Sequence, residues 1–326
     1  VGDLEDPETE QDFREQIGRL LELYALHPQR VVCDPHPLYV SGAWARGSGL
    51  GPVLTVQHHH AHVLSVMAEH GLEEAIGLAF DGTGYGADGT IWGGEFLHAT
   101  RRGFTRLGHF GSFRLPGGES AVLHPLRIAL ALLIEAGAEA AALLPELPEA
   151  EAVLLEPMVR RGLQAPSTTS LGRIFDAAAA LLAGVGETSY EAEGPIRLEG
   201  LAAREARSAG VSAARGLIAL EPGEPFILQA APLLAELARR RRAESPASLA
   251  LEFHVEIAAA ALAGARVMRE QTGCGDLCLS GGVFQNMLLR ELLWPQLERS
   301  GFRLHTNEAV PPGDGGLAVG QAYFEP

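Results

Sequence analysis

The stretch that decides the fold is AIGLAFDGTGYGADGTIWGGEFLHATRRGFTRLGHF, residues 75 to 110. From it and the next few residues, the segments AIGLAFDGTGYG, TIWGGEFLHAT and FTRLGHFGSF predict three successive strands. Asp88-Gly89 is a favoured pair for a tight hairpin turn, so the first two strands should be antiparallel neighbours.

Before this stretch, helices and strands alternate. Residues 7–26 carry apolar side chains at helical spacing and precede Pro28, which should end the helix. RVVCD and PVLTVQ predict short buried strands, and PHPLYVSGAWARGSG between them predicts a loop with one helical turn. HHHAHVLSVMAEHG then predicts a helix that Gly71 ends. This alternation is typical of a parallel α/β sheet.

After the three strands, the sequence is mostly helical before alternation returns. We expect helices over 120–190 and 200–250, with ELARRRRAESP on the surface. A helix, the strand DLCLSGG, a second helix, the strand FRLHTN and a final helix from Asp314 should follow. The fold class is therefore α/β. We assign residues 1–75 to one unit and residues 76–326 to another, with a helical insertion at about 120–250.

Composition limits the classes of function. The chain has 326 residues, 25 Lys and Arg against 41 Asp and Glu, and a net charge of −16, which disfavours general binding to nucleic acid. We find no segment of about 20 apolar residues and no signal peptide, so we expect no membrane partner. Three cysteines without metal-site spacing favour a reduced, cytoplasmic protein.

Four histidines occupy five positions in VQHHHAH, residues 56 to 62. His58 and His62 lie four apart where a helix should begin, so their side chains should leave one face and could bind one metal ion. A patch of histidines at the helix start remains the alternative. A zinc peptidase needs Glu directly after the first histidine, and His59 occupies that position.

Asp81 follows the apolar run IGLAF and precedes a glycine-rich segment. The Asp81 carboxylate could bind a metal ion or orient a nucleophile. Gly82, Thr83 and Gly84 could bring backbone N–H groups close to a phosphate. The alternative is a plain hairpin, because Asp-Gly is a common turn pair.

Other candidates lie at predicted strand–helix junctions or within a helix. Gly281 and Gly282 in LSGGVFQN could approach a nucleotide, and Asn286 could bind its base or ribose or cap a helix. Asp314 in PPGDGG could likewise be a helix cap or a metal ligand from the far end of the chain. Asp176 lies among apolar residues in GRIFDAAAALLAG, where it could face solvent or ribose hydroxyls.

Taken together, these motifs resemble one family. VQHHHAH, FDGTGYGADGTIWGGEF, LSGGVFQN and PPGDGGLAVGQA, with GDLEDPETEQDF and DPHPLY, are similar to the carboxyl-terminal domain of the HypF carbamoyltransferases, which mature nickel–iron hydrogenases. The wider resemblance is to the catalytic subunit of tRNA threonylcarbamoyladenosine synthase and to antibiotic O-carbamoyltransferases. It implies a two-lobed actin/hexokinase/Hsp70-type, RNase H-like fold.

The resemblance also implies a reaction. Carbamoyl phosphate and ATP would form carbamoyl-adenylate, and this domain would pass the carbamoyl group to the carboxyl-terminal cysteine of the partner HypE. The implied catalytic groups and ligands of a divalent iron or zinc ion are His58, His62, Asp81 and Asp314. The implied contacts to ATP or carbamoyl-adenylate, with Mg²⁺ as a further candidate ion, are Gly82, Thr83, Gly84, Asp176, Gly281, Gly282 and Asn286.

The sequence departs from the whole family protein. Acylphosphatase, zinc-finger and adenylate-forming YrdC-like domains are not visible, and the first lobe should lack its initial three strands. We therefore expect part of a longer protein, with an exposed sheet edge, that cannot itself make the adenylate. Three alternatives stay open: O-carbamoylation of a small molecule, a non-catalytic docking module for HypE, and a metalloprotease.

Overall fold

The structure is a computed structural model that describes residues 4–326. The strands are β1 (Val31–Cys33), β2 (Val53–Thr55), β3 (Glu74–Tyr85), β4 (Ile91–Thr100), β5 (Gly103–Phe110), β6 (Phe113–Arg114), β7 (Ser167–Thr168), β8 (Ala219–Glu221), β9 (Phe226–Gln229), β10 (Asp276–Ser280) and β11 (Arg303–Thr306). The helices are α1 (Pro7–Leu23), α2 (Val40–Gly47), α3 (His58–His70), α4 (Glu119–Leu123), α5 (Pro125–Glu135), α6 (Ala140–Leu143), α7 (Glu149–Arg161), α8 (Leu171–Leu182), α9 (Glu193–Ala209), α10 (Ala231–Arg240), α11 (Pro246–Thr272), α12 (Met287–Arg299) and α13 (Leu317–Tyr323), with short 3₁₀ helices at Gly282–Gln285 and Asp314–Gly316.

A mixed sheet forms the centre of the molecule, in the strand order β11-β10-β3-β4-β5-β9-β8. β3, β4 and β5 are antiparallel, whereas β10 and β11 add parallel to β3. The three successive strands and the turn at Asp88-Gly89 are confirmed, and Gly89 has the positive φ of 76° that such a turn requires. The α/β class is therefore confirmed, with β3 inside the sheet between β10 and β4.

Short helices and strands before β3 follow the predicted order. β1 and β2 form a separate parallel pair, and α3 ends at Gly71, which is left-handed with φ 63°. α1 ends at Leu23 instead of residue 26. α2 has eight residues where a loop with one turn was expected. The motif GDLEDPETEQDF begins at residue 2, so its first two residues lie outside the described range.

The region predicted to be a helical insertion also contains three strands, β7, β8 and β9, and β6 lies just before it. β6 and β7 pair with each other, and β8 and β9 extend the central sheet beyond β5. These strands have only two to four residues, too few to display an alternating pattern. The packing of Phe226 on Gly108 holds β9 in place, because a Cβ at Gly108 would lie 2.3 Å from the Phe226 ring. Such a contact cannot be seen in local sequence.

Helix α11 corrects the expectation that no segment could span a membrane. By length and composition, this 27-residue helix is long and apolar enough to do so. However, 67% of its most apolar window is buried inside the protein, where α11 packs on α8, α9 and α12. We describe it as a core helix.

Helices α3 and α13 pack together without space for a side chain at Gly320. A Cβ there would lie 1.9 Å from the carbonyl oxygen of Ala61 and 2.8 Å from the amide nitrogen of Ser65. This contact links the end of the chain to the helix that carries the histidines. The distance between the two helices therefore depends on Gly320.

We predict that Gly320→Ala lowers the free energy of unfolding by about 1–3 kcal/mol, because the new methyl group must separate α13 from α3. Chemical denaturation would measure the loss. Gly18→Ala is the matched control, because Gly18 lies in α1 with nothing within 4 Å of the added Cβ, and alanine favours helix. An unchanged midpoint for Gly320→Ala would contradict the proposed close contact.

Candidate metal centre

The two histidines of interest share one face of α3. The Gln57 side chain accepts a hydrogen bond from the His60 amide and caps the helix, so that the helix begins at His58. His58 and His62 are therefore one turn apart, with ring centroids 5.0 Å from each other, and both are buried. The predicted spacing is observed. His60 points away and bonds the Thr100 carbonyl.

Asp81 reaches the histidines from a bulge in β3. β3 continues past Asp81 to Tyr85, and its pairing with β4 shifts register between Phe80 and Gly84. A bulge changes the direction of the side chains within it. The Gly282 amide donates to Asp81 Oδ1 at 2.9 Å, which leaves Oδ2 directed toward the histidines.

Asp314 comes from the loop before α13. Glu69, also on α3, accepts hydrogen bonds from the amides of Glu308, Ala309 and Val310, and so holds the start of this loop. Asp314 makes no side-chain cap to the helix that follows, so the helix-cap interpretation does not describe its position. Its carboxylate instead faces the two imidazoles, and its side chain is 68% exposed.

The four side chains converge on one point. His58 Nε2 lies 3.4 Å from Asp81 Oδ2 and 3.5 Å from Asp314 Oδ1. His62 Nε2 lies 3.6 Å and 3.5 Å from the same atoms. All four donor atoms lie within 4.8 Å of one another. Ligands of a tetrahedral ion with bonds of about 2.1 Å are separated by about 3.4 Å, so this set has the spacing of a metal site.

The hydrogen bonding of the histidines also fits a metal ion. Both ring nitrogens of His62 are buried without a hydrogen-bond partner in the described residues, and buried polar atoms of this kind require an explanation. A cation between the imidazoles and carboxylates would use Nε2 of His62. Two imidazoles and two carboxylates suit zinc or iron, so the donor set agrees with either ion.

Asp34 contacts the ring nitrogen of His58 that does not face the cluster. Its Oδ2 lies 3.0 Å from His58 Nδ1, and its Oδ1 accepts from the His36 amide at 2.8 Å. A proton on Nδ1 leaves the Nε2 lone pair free for a metal ion, as in other carboxylate–histidine–metal arrangements. Sequence reasoning noted DPHPLY but assigned Asp34 no role. The spacing Asp-x-His was a signal, but its partner lies 24 residues away.

The carboxylates and imidazoles of the cluster stabilise each other's charged forms. Burial disfavours charged imidazoles, yet the carboxylates of Asp314 and Asp81 raise the pKa of both His58 and His62, and Asp34 adds to the rise at His58. Burial likewise opposes ionisation of the carboxyls, but the two histidines hold the pKa of Asp81 well below its usual range and lower that of Asp314 to about 2. A bound cation would replace protons on the imidazoles.

The predicted phosphate residues lie beside this cluster in the bulge of β3. Thr83 is exposed, and Gly82 adjoins the guanidinium of Arg173, whose Nη2 would lie 3.2 Å from an added Cβ. A Cβ at Gly84 would lie 2.5 Å from His58 and 2.6 Å from His59. Glycine at position 84 therefore allows the histidine helix to approach β3. Phosphate contact by these residues remains a prediction.

The residues predicted to contact adenosine lie in two parts of the fold. Gly281, Gly282 and Asn286 lie between β10 and α12, and Asp176 lies in α8. The Gly281 amide donates to the Pro312 carbonyl and the Gly282 amide to Asp81, so both donors are used within the protein. Asn286 Oδ1 caps α12 through the Leu289 amide, as the helix-cap alternative predicted.

His254 and Arg173 are the side-chain partners of two of the predicted adenosine residues. Asn286 Nδ2 donates to His254 Nε2, and burial lowers the pKa of His254 to about 4, so that its ring is neutral and can accept. Asp176 is buried in α8, which excludes the solvent-facing alternative, and its Oδ2 lies 3.0 Å from Arg173 Nε. Adenosine binding by these residues remains a prediction.

Two family descriptions match consecutive parts of the chain. Residues 1–69 match the HypF Kae1-like domain, and residues 77–321 match the second subdomain of the carbamoyltransferase Kae1-like domain. The Carbamoyltransferase HypF of Synechocystis sp. is 35% identical over 344 residues, which cover 98% of this chain and 43% of that protein. A Carbamoyltransferase HypF homolog of Cupriavidus necator is also 35% identical, with 99% of this chain and 84% of the homolog covered.

Solved structures give the same result. A crystal structure of full-length HypF in the phosphate- and nucleotide-bound form has a TM-score of 0.89 and 31% identity, over 99% of this chain and 42% of that one. T. kodakarensis HypF has a TM-score of 0.86 and 30% identity, over 99% and 43%. The chain thus spans less than half the length of the Synechocystis relative and of both solved structures.

We predict that the purified chain retains a stoichiometric zinc or iron ion and that His62→Ala loses it, because one of the four ligands is removed. Elemental analysis after desalting would measure the retained metal. The exposed His27 provides the control, since His27→Ala leaves the cluster intact. Equal metal content in His62→Ala and the parent would exclude this site.

We predict that Asp34→Asn weakens metal affinity about 10- to 100-fold without removing a ligand, because the amide lacks the charge that orients His58. Competition with a chromophoric chelator would measure the change. A variant with parental affinity would show that Asp34 has no part in holding the imidazole.

Proposed function

The chain belongs to the HypF carbamoyltransferase family, and from this we propose that it transfers a carbamoyl group from carbamoyl-adenylate to the carboxyl-terminal cysteine of HypE. The reaction would serve the synthesis of cyanide ligands for nickel–iron hydrogenases. The observation that carries the proposal is the convergence of His58, His62, Asp81 and Asp314 on one point.

The exposure of the four side chains supports an acyl-transfer site. The side chains of His58, His62 and Asp81 are at most 10% exposed, whereas that of Asp314 is 68% exposed. The exposed Asp314 side of the cluster is therefore where the carbamoyl-phosphate end of the adenylate would approach. A metal ion bound here would supply Lewis acidity, polarising the carbamoyl group and offsetting charge as a thiolate approaches.

The chain's residues would hold the reactants and balance charge during the transfer. The thiolate sulfur bonds to the carbamoyl carbon, the bond from that carbon to the phosphate oxygen breaks, and AMP leaves with the electron pair. The thiol proton passes to solvent. Asp34 keeps His58 oriented, and Gly82, Thr83 and Gly84 lie next to Asp81, where the leaving phosphate would be.

We infer that the fold is two-lobed, of the actin/hexokinase/Hsp70 type. Three antiparallel strands followed by two parallel ones, β5-β4-β3-β10-β11, support a second lobe from residue 76 onward. α1, α2 and the β1–β2 pair would be the remainder of the first lobe. The nucleotide would bind between the lobes, with Asp176, Gly281, Gly282 and Asn286 on its adenosine side.

The chain covers less than half of the Synechocystis relative, and the partners that we propose are the further domains of a whole family protein. The YrdC-like, zinc-finger and acylphosphatase domains would make carbamoyl-adenylate and pass it to this chain. We place the reaction in the cytoplasm. The free cysteines Cys33, Cys274 and Cys278 support this proposal.

A transfer assay tests the proposal. The adenylate would be generated from carbamoyl phosphate and ATP by a separately purified fragment with the acylphosphatase, zinc-finger and YrdC-like domains, and mass spectrometry would follow carbamoylation of a HypE carboxyl-terminal peptide. We expect transfer by the parent and by His27→Ala, and loss of transfer in His58→Ala and His62→Ala, because both lack a cluster ligand.

Each alternative predicts a different result. Modification of a sugar hydroxyl in place of the peptide would indicate a small-molecule O-carbamoyltransferase. Peptide binding and modification that survive in both histidine variants would reduce the chain to a docking module. Casein cleavage abolished by a chelator would restore the metalloprotease interpretation, which lacks its glutamate.

A further inference from the structure

None of the motifs identified in the sequence gives Arg173 a role. It is in the first turn of α8, and its side chain is 12% exposed. Its Nη2 faces Gly82, because a Cβ at Gly82 would lie 3.2 Å from that atom. The guanidinium therefore borders the bulge that carries Asp81.

Buried atoms without hydrogen bonds are concentrated at this site. Among residues 4–326, five buried side-chain nitrogen and oxygen atoms lack a hydrogen-bond partner, and three of them belong to His59 and His62. The other two are Arg173 Nε and Asp176 Oδ2, which lie 3.0 Å apart as an ion pair without hydrogen-bond geometry. A protein seldom leaves a buried guanidinium and carboxylate so poorly satisfied unless a ligand completes them.

Contacts between the start of α8 and β3 fix the position of Arg173 relative to the bulge. Ser170 Oγ accepts from the Arg173 amide and donates to the carbonyl oxygens of Asp81 and Gly82. A Cβ at Gly172 would lie 2.8 Å from the Gly82 Cα, so the first turn of α8 and the bulge are in direct contact. The metal cluster and the guanidinium are thus joined through Asp81 and Gly82.

We propose that Arg173 is a positioning residue that binds the phosphate of the adenylate and holds it as AMP leaves. This inference rests on the proposed function. Arg173 Nη2 lies next to Gly82, and the two terminal nitrogens of a guanidinium can donate to phosphate oxygens in the parallel geometry that arginine favours. Asp176 lies on the Nε side of the guanidinium, and Nη2 faces Gly82.

The chemistry of the site suits a phosphate. The helix dipole of the 12-residue α8 adds positive potential at its first turn, where Arg173 lies. Asp81 on the other side of Gly82 belongs to the cluster that would polarise the carbamoyl group. A phosphoryl group beside Gly82 could therefore contact Arg173 while its acyl substituent reaches the cluster.

The test compares AMP with adenosine by titration calorimetry. We expect the parent to bind AMP more tightly than adenosine. Arg173→Met should lower AMP affinity about 10- to 100-fold and adenosine affinity much less, because only AMP loses a phosphate contact. Arg173→Lys should recover part of the preference through its charge. Arg160→Met is the matched control, because Arg160 forms an exposed ion pair with Glu156 on α7.

Other outcomes would overturn the inference. These are an unchanged preference for AMP in Arg173→Met, an equal loss of AMP and adenosine affinity, or a parent that binds neither molecule. Metal content and circular dichroism of Arg173→Met identify a folding defect, and Arg173→Lys then decides the question. Failure here leaves the transfer assay intact, since carbamoylation of the peptide is measured independently.

Discussion

The structure of this site depends on the position of the Asp81 carboxylate. One oxygen accepts the Gly282 amide and the other faces His58 and His62, while the backbone carbonyl accepts Ser170 Oγ. Asp81 therefore joins β3 to the histidine helix, to the turn after β10 and to the start of α8. The bulge in β3 makes this possible, because a regular strand would not direct the side chain in the same way.

Close packing at glycines, which have no side chain, brings the remaining elements to Asp81. Gly84 allows α3 to approach β3, Gly320 allows α13 to approach α3, and Gly281 has a φ of 100° beneath the carbonyl of Phe80. Gly84 and Gly281, which the sequence predicted as ligand contacts, thus have packing roles, as does Gly320. The motifs are glycine-rich largely because several backbones meet at a single point.

This arrangement leaves polar groups poorly satisfied. Burial raises the pKa of Asp176 to about 6, even with the Arg173 guanidinium alongside, and the His62 nitrogens have no partner in the described residues. Such groups cost stability in the absence of a ligand. Proteins retain them where binding or catalysis compensates, and here they lie on either side of Asp81.

The sequence by itself determined the α/β class, the three-strand start of the main sheet, the histidine helix and the family. These follow from local periodicity, turn pairs and motif order, which are readable over short stretches. It also indicated the four residues of the cluster. Only the tertiary structure decided that Asp81 lies in a bulge, that Asp34 supports His58, that Arg173 faces Gly82, and that β8 and β9 extend the sheet. Each of these depends on contacts between residues far apart in the chain, and the packing that sets them leaves no pattern in the local sequence.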